Sequence, residues 1–129
     1  MSRENVEVMR RWMEATSGGE YEAAFAEVDP DVEIDDTDIP ESTGADSFYE
    51  WLARWDASWE SWRIERLELR ASGDDKVLAL FRMIVTGRES GIELGRDDAI
   101  LAGFRNAKIV RLGYYNNQQQ ALEAAGLKE

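Results

Sequence analysis

The 129-residue sequence contains no cysteine, no histidine and only two prolines. Without cysteine there is no disulfide, no thiolate nucleophile and no thiolate metal ligand, so a secreted disulfide scaffold is excluded. Without histidine the commonest base near neutral pH is missing, along with the Ser-His-Asp relay and the ligand that most zinc and non-haem iron sites depend on. Chemistry is left to Asp, Glu, Tyr, Lys, Arg or water, and no cofactor is implied. Basic charge is also scarce: 15 Lys and Arg stand against 27 Asp and Glu, a formal net charge of -12. That balance argues against nucleic acid and against anionic membrane surfaces, both of which select a basic face. No run of about eighteen apolar residues occurs, and MSRENVEVMRRW has no apolar stretch of signal-peptide length, so a soluble cytoplasmic protein is expected.

What is present is a large apolar and aromatic complement, including five Trp, four Tyr and four Phe, in a chain of a length that suits one domain over residues 1–129. Val6, Met9, Trp12, Met13 and Thr16 fall near helical spacing after Ser2, and Gly18-Gly19 ends that helix. A second helix is expected from about Glu20, with Tyr21, Ala24, Phe25 and Val28 on one side, until Pro30 breaks it. Val32 and Ile34 alternate with Glu33 and Asp35, which reads as a short strand with one apolar face. Thr43-Gly44-Ala45-Asp46 has the form of a capping box, and Phe48, Trp51, Leu52, Trp55 and Trp59 then mark a helix.

From Trp62 the period becomes two, with a one-residue phase slip between Ile64 and Leu67 that predicts a β-bulge. Val77 to Thr86, Ile92 to Phe104 and Lys108 to Tyr115 follow as strands joined by short turns, and Asn116 or Asn117 caps a last helix closed by Gly126. The fold class expected is α+β: a curved antiparallel sheet, cone-shaped, with helices on its concave face enclosing a cavity. The strand VLALFRMIV carries large side chains on both faces, and the face away from the helices calls for a second cover, hence a homodimer through the sheet.

The segments ENVEVMRRWMEATSGGEYEAAFAEVDPDVEI and FRNAKIVRLGYYNNQQQALEAAGL resemble the opening and closing of the SnoaL-like branch of the nuclear transport factor 2-like superfamily. The resemblance covers nearly the whole chain and implies the cone-shaped fold and a sheet-to-sheet dimer. It does not imply one activity, because that scaffold hosts isomerases, cyclases, dehydratases, epoxide hydrolases and non-catalytic binding modules. By resemblance to the ketosteroid isomerases, Asp35 takes the place of the general base, while Trp12 and Ile100 stand where the Tyr and Asp oxyanion donors belong. Polyketide cyclases also want an acid at Ile100, with a His partner. The Asp-Arg-Asp set of the epoxide hydrolases meets a lone Arg82, and Tyr114 where an Asp is expected.

The acid-rich stretch DVEIDDTDIPES then has two readings. Asp35, Asp36 and Asp38 form a solvated strand end and loop, or Asp35 projects into the cavity with Asp36 and Asp38 at its rim. A metal is not expected there, since the spacing fits no EF-hand loop. Asp98, in phase with Ile100, Ala102 and Phe104, faces the cavity near its mouth or ends its strand in solvent. The candidate catalytic residues are Asp35 and Asp98, with Tyr115 as a polar assistant. The candidate ligand contacts are Trp12, Trp51, Trp55, Ile100, Ala102 and Tyr115. The expected function is binding of a small apolar molecule in an aromatic-lined cavity, with Asp-based proton transfer where there is chemistry. The competing class is a non-catalytic dimeric interaction module.

Overall fold

The computed structural model describes residues 2–36 and 41–128. Along the chain run α1 (Ser2–Ser17), α2 (Tyr21–Phe25), β1 (Val28–Asp36), β2 (Ser42–Thr43), α3 (Ala45–Ser58), β3 (Ser61–Ser72), β4 (Lys76–Thr86), β5 (Glu93–Arg105), β6 (Lys108–Tyr115) and α4 (Gln118–Ala125). The strands form one curved, unclosed six-stranded sheet in the order β2-β1-β6-β5-β4-β3. All neighbours are antiparallel except β1 and β6, which run parallel and bring the start of the chain beside its end. The fold is the expected α+β type. Among the described residues, no helix is long and apolar enough to cross a membrane.

The period-two pattern decides the two faces of the sheet. On β4, Val77, Ala79, Phe81, Met83 and Val85 point to the main core, which α1 and α3 close with Met9, Trp12, Met13, Phe48 and Leu52. The intervening Leu78 and Leu80, with Ala99 and Leu101 of β5, point the other way. There they meet Ala121, Leu122 and Ala125 of α4, so the last helix lies on the face opposite α1–α3 rather than beside them. Its apolar stripe supplies part of the cover that the sequence assigned to a second copy of the chain. Gln118 fastens it, donating from Nε2 to the Asp98 and Phe81 carbonyl oxygens at 3.0 and 3.2 Å. The N-cap is Asn117, whose side chain accepts from the Gln120 amide.

The bulge expected in β3 is present: the pairing with β4 slips by one residue between Glu65 and Glu68, and Arg66 takes a left-handed φ of 56°. Two local expectations change. The second helix stops at Phe25 and β1 begins at Val28, because Val28 is taken into a parallel pairing with Ile109. Pro30, which has no amide proton to give, falls in the register break that follows. Thr43 does not cap α3 either: it pairs with Glu33 in β2, and Gly44, at φ 97°, makes the turn into the helix that a side chain would strain.

Candidate functional site

Each wall of the site follows from strand phase. Val32 and Ile34 of β1 are wholly buried, so Asp36, two residues on, points inward as well. Its parallel neighbour on β6 is Tyr114, and Tyr114 in turn pairs with Ile100 of β5. These three side chains face Phe81 and Met83 from β4 and Ile64 and Trp62 from β3. Trp12, Met13 and Thr16 of α1 and Trp51, Leu52 and Trp55 of α3 close the space from above. Trp12 stacks on Trp51 at 6.4 Å between ring centroids and 13° between planes. The volume of this space is about 40 Å³. That is room for a few water-sized groups, well short of the hundreds of Å³ in which a whole ligand is usually held.

Two acids sit at this site in different surroundings. Asp36 accepts a hydrogen bond from Trp51 Nε1 at 2.9 Å and opens onto the cavity. Asp98 is 0% exposed and lies behind Tyr114, whose hydroxyl donates to its Oδ2. Arg96 completes its shell with Nε at 2.6 Å and Nη2 at 3.1 Å. Burial pushes the Tyr114 hydroxyl far above its ordinary value, and the Asp98 charge and hydrogen bond add to the shift. Tyr114 therefore stays a protonated phenol, and its single proton is committed to Asp98. The hydrogen bond to Asp98 raises Arg96 in the same way, so the buried carboxylate always faces a cation.

The placement of the other candidates separates two faces. Asp35 points away from the cavity, 42% exposed, and accepts from Arg111 Nη2 at 2.5 Å; the same arginine lies 3.7 Å from Glu33. The inward acid is its neighbour Asp36. Tyr115 likewise lies on the outer face, across from Ala99 and packed against the α4 cluster, and Tyr114 is the inward tyrosine. Trp12, Trp51, Trp55 and Ile100 line the cavity, while Ala102 is buried deeper in the core, outside the lining. Arg82 points outward to Asp97 at 2.9 Å. Asp38 lies outside the described residues. Sequence reasoning put Asp36 only at the cavity rim, although the alternation through Val32 and Ile34 carried the signal for its inward position, and passed over Thr16 and Arg96. Among the described residues, no group of acids is arranged to hold a metal ion.

Residues 9–112 match the family model of the SnoaL-like domain, most of the chain. The protein belongs to the SnoaL-like family. The solved structures it resembles agree on the fold. A candidate polyketide cyclase from Xanthomonas campestris pv. campestris superposes with a TM-score of 0.82 at 19% identity, over 96% of this chain and 98% of that one. An NTF2-like protein of unknown function from Burkholderia pseudomallei gives 0.80 at 17% identity, over 93% and 95%. TerC, co-crystallised with polyporic acid, gives 0.79 at 18% identity, over 95% and 98%. No curated protein matches the chain in sequence.

In this SnoaL-like domain the cavity adjoins a larger groove, about 380 Å³, across Trp55 and Met83, which line both. Trp59, Val85, Leu94, Gly95 and Arg96 form the rest of the groove, and Leu94 is 58% exposed. All five tryptophans of the chain thus line the cavity or the groove. Neither isomerase donor position gains a polar acid or hydroxyl from the fold: Trp12 and Ile100 both face the cavity as indole and hydrocarbon.

Proposed function

We propose that this SnoaL-like domain binds a small, largely apolar molecule, with its body in the groove and one end in the tryptophan-walled cavity, and that Asp36 exchanges a proton with it. The observation that carries the reading is a carboxylate opening into a space whose other described walls are mainly aromatic and aliphatic, with no Lys or Arg among the described lining residues. Apolar contact would supply affinity and the few polar groups orientation, which is the usual division of labour in such pockets. A carboxylate is suited to taking a proton from carbon beside a carbonyl once the substrate lies within hydrogen-bond reach. The co-crystal of TerC with polyporic acid supports small-molecule binding on this fold. Trp55 and Met83, as the shared wall, would have to turn for a ligand to span both spaces.

The test uses 2-indanone, a compact ketone with acidic α-hydrogens. The protein is expected to accelerate exchange of those hydrogens with D₂O, followed by NMR, and to show saturable quenching of tryptophan fluorescence. Asp36→Asn should lower the exchange rate at least about 100-fold with binding retained, and Asp35→Asn should leave it unchanged. Binding without any exchange would leave a non-catalytic module. Exchange lost in Asp35→Asn but kept in Asp36→Asn would reverse the assignment of the base.

A homodimer through the sheet face that α4 leaves open is part of the same proposal. That face carries Arg66, Arg70 and Arg82 beside Glu68 and Asp97, a mixture of signs that can complement itself across a two-fold axis. Exposed charge pairs are screened by salt. Sedimentation velocity should therefore show a dimer at micromolar protein in low salt that weakens by 1 M NaCl, and monomer alone at low salt would remove the dimer.

A further inference from the structure

Three side chains in the cavity wall, and Trp59 Nε1 in the adjoining groove, carry polar hydrogens that no atom of the described residues accepts. Trp12 Nε1, Trp55 Nε1 and Thr16 Oγ1 are buried atoms without a partner among the described residues. Trp12 is 1% exposed and Thr16 5%, so bulk water does not serve them, and both line the cavity. A buried donor left unmade is costly, and native interiors rarely keep several together. Thr16 is one turn along α1 from Trp12, so both belong to the same helix face. The other polar groups of the wall are engaged: Trp51 Nε1 donates to Asp36, and the Tyr114 hydroxyl donates to Asp98.

We infer that this face of α1, with Trp55 opposite, is an acceptor subsite, in which Trp12, Thr16 and Trp55 take an uncharged acceptor oxygen of the bound molecule. The inference rests on the pocket reading above and names the ligand chemistry and the residues that select it. Size favours a tip of this kind, because about 40 Å³ admits a group the size of a carbonyl oxygen and not a ring system. Charge favours a neutral one. Among the described residues the cavity wall holds Asp36 and no cation, in a chain of net charge -12, so a carboxylate or phosphate would enter with no described partner for its charge. A bare hydrocarbon would leave the donors unserved. A ketone or quinone oxygen meets both conditions. Where Asp36 removes a proton beside that carbonyl, the same N–H and O–H groups would hold the charge that develops on oxygen. Tyr114 is not available for this, having no second proton to give.

The experiment compares three probes of one skeleton, 2-indanone, indane and indane-2-carboxylate, by tryptophan-fluorescence titration of the full chain. The ketone should bind at least about tenfold more tightly than indane, and the carboxylate more weakly than the ketone, because satisfying buried donors distinguishes otherwise equal shapes. Thr16→Val, which keeps the shape of the side chain, and Trp12→Phe, which keeps a ring, should each shrink the ketone-to-indane ratio several-fold. Equal affinity for ketone and indane in the unaltered protein would overturn the subsite and leave the pocket standing. Preference for the carboxylate would overturn its neutrality. Saturable binding of none of the three would remove the pocket itself.

Discussion

Ile100→Asp is expected to lower folding stability by about 3 kcal/mol or more at pH 7, with the loss growing as pH rises. Ile100 is 3% exposed in β5, packed among Trp12, Phe81 and Tyr114 around the cavity, with no cation in the lining. An introduced carboxyl either stays charged without a partner or takes up a proton. In the second case its folded pKa lies above the unfolded value near 4. The variant then keeps its stability below that unfolded value and loses about 1.4 kcal/mol per pH unit above it, until the folded group itself ionises. Urea unfolding at pH 5 and pH 8 measures the difference directly. Ile100→Leu, which keeps the volume, should cost less than about 1.5 kcal/mol at either pH. A variant as stable at pH 8 as at pH 5 would mean that position 100 is solvated and does not line a closed cavity.

Arg96→Met should cost about 2–3 kcal/mol, although Arg96 is itself half exposed. The reason is its partner. Asp98 is fully buried with Arg96 and the Tyr114 hydroxyl as its side-chain partners, so removing the arginine leaves it with one neutral donor. Solvent around the guanidinium places the effect below the 3–5 kcal/mol of a fully enclosed pair. Arg82→Met is the contrast, because Arg82 and Asp97 are both open to water on the outer face, and its loss should stay within about 1 kcal/mol. Adding Asp98→Asn to Arg96→Met should recover much of the stability, since the amide needs no counter-charge and its oxygen can still accept from Tyr114. Equal losses for Arg96→Met and Arg82→Met in urea unfolding would show that Asp98 does not depend on the arginine.

The inward acid illustrates where sequence reading went astray. Val32 and Ile34 alternate cleanly, and the same alternation carries Asp36 to their face and Asp35 to the other. The likeness to isomerases drew attention to Asp35 instead, one residue away, and one residue along a strand is the opposite face of the sheet. Tyr115 failed for the same reason, since Leu112 and Tyr114 share the phase that faces Ile100. Where phase was followed strictly, as through the bulge at Arg66, the placement agreed, whereas Asp98 is neither at the cavity mouth nor in solvent but wholly buried behind Tyr114.

The sequence by itself determined the family, the α+β class, the bulge, and the exclusion of thiol and imidazole chemistry. All of these depend on composition or on local periodicity, which a single strand or helix already contains. Only the tertiary structure decided that α4 covers the outer face, that Arg111 takes Asp35 while Arg96 and Tyr114 take Asp98, and that Trp12, Thr16 and Trp55 keep unpartnered donors. Each of those depends on groups far apart in the chain, Asp35 and Arg111 being 76 residues apart. No local pattern specifies which neighbour will satisfy a polar group or leave it free, because that choice is made by the packing of β1 beside β6 and of α1 and α3 across the sheet.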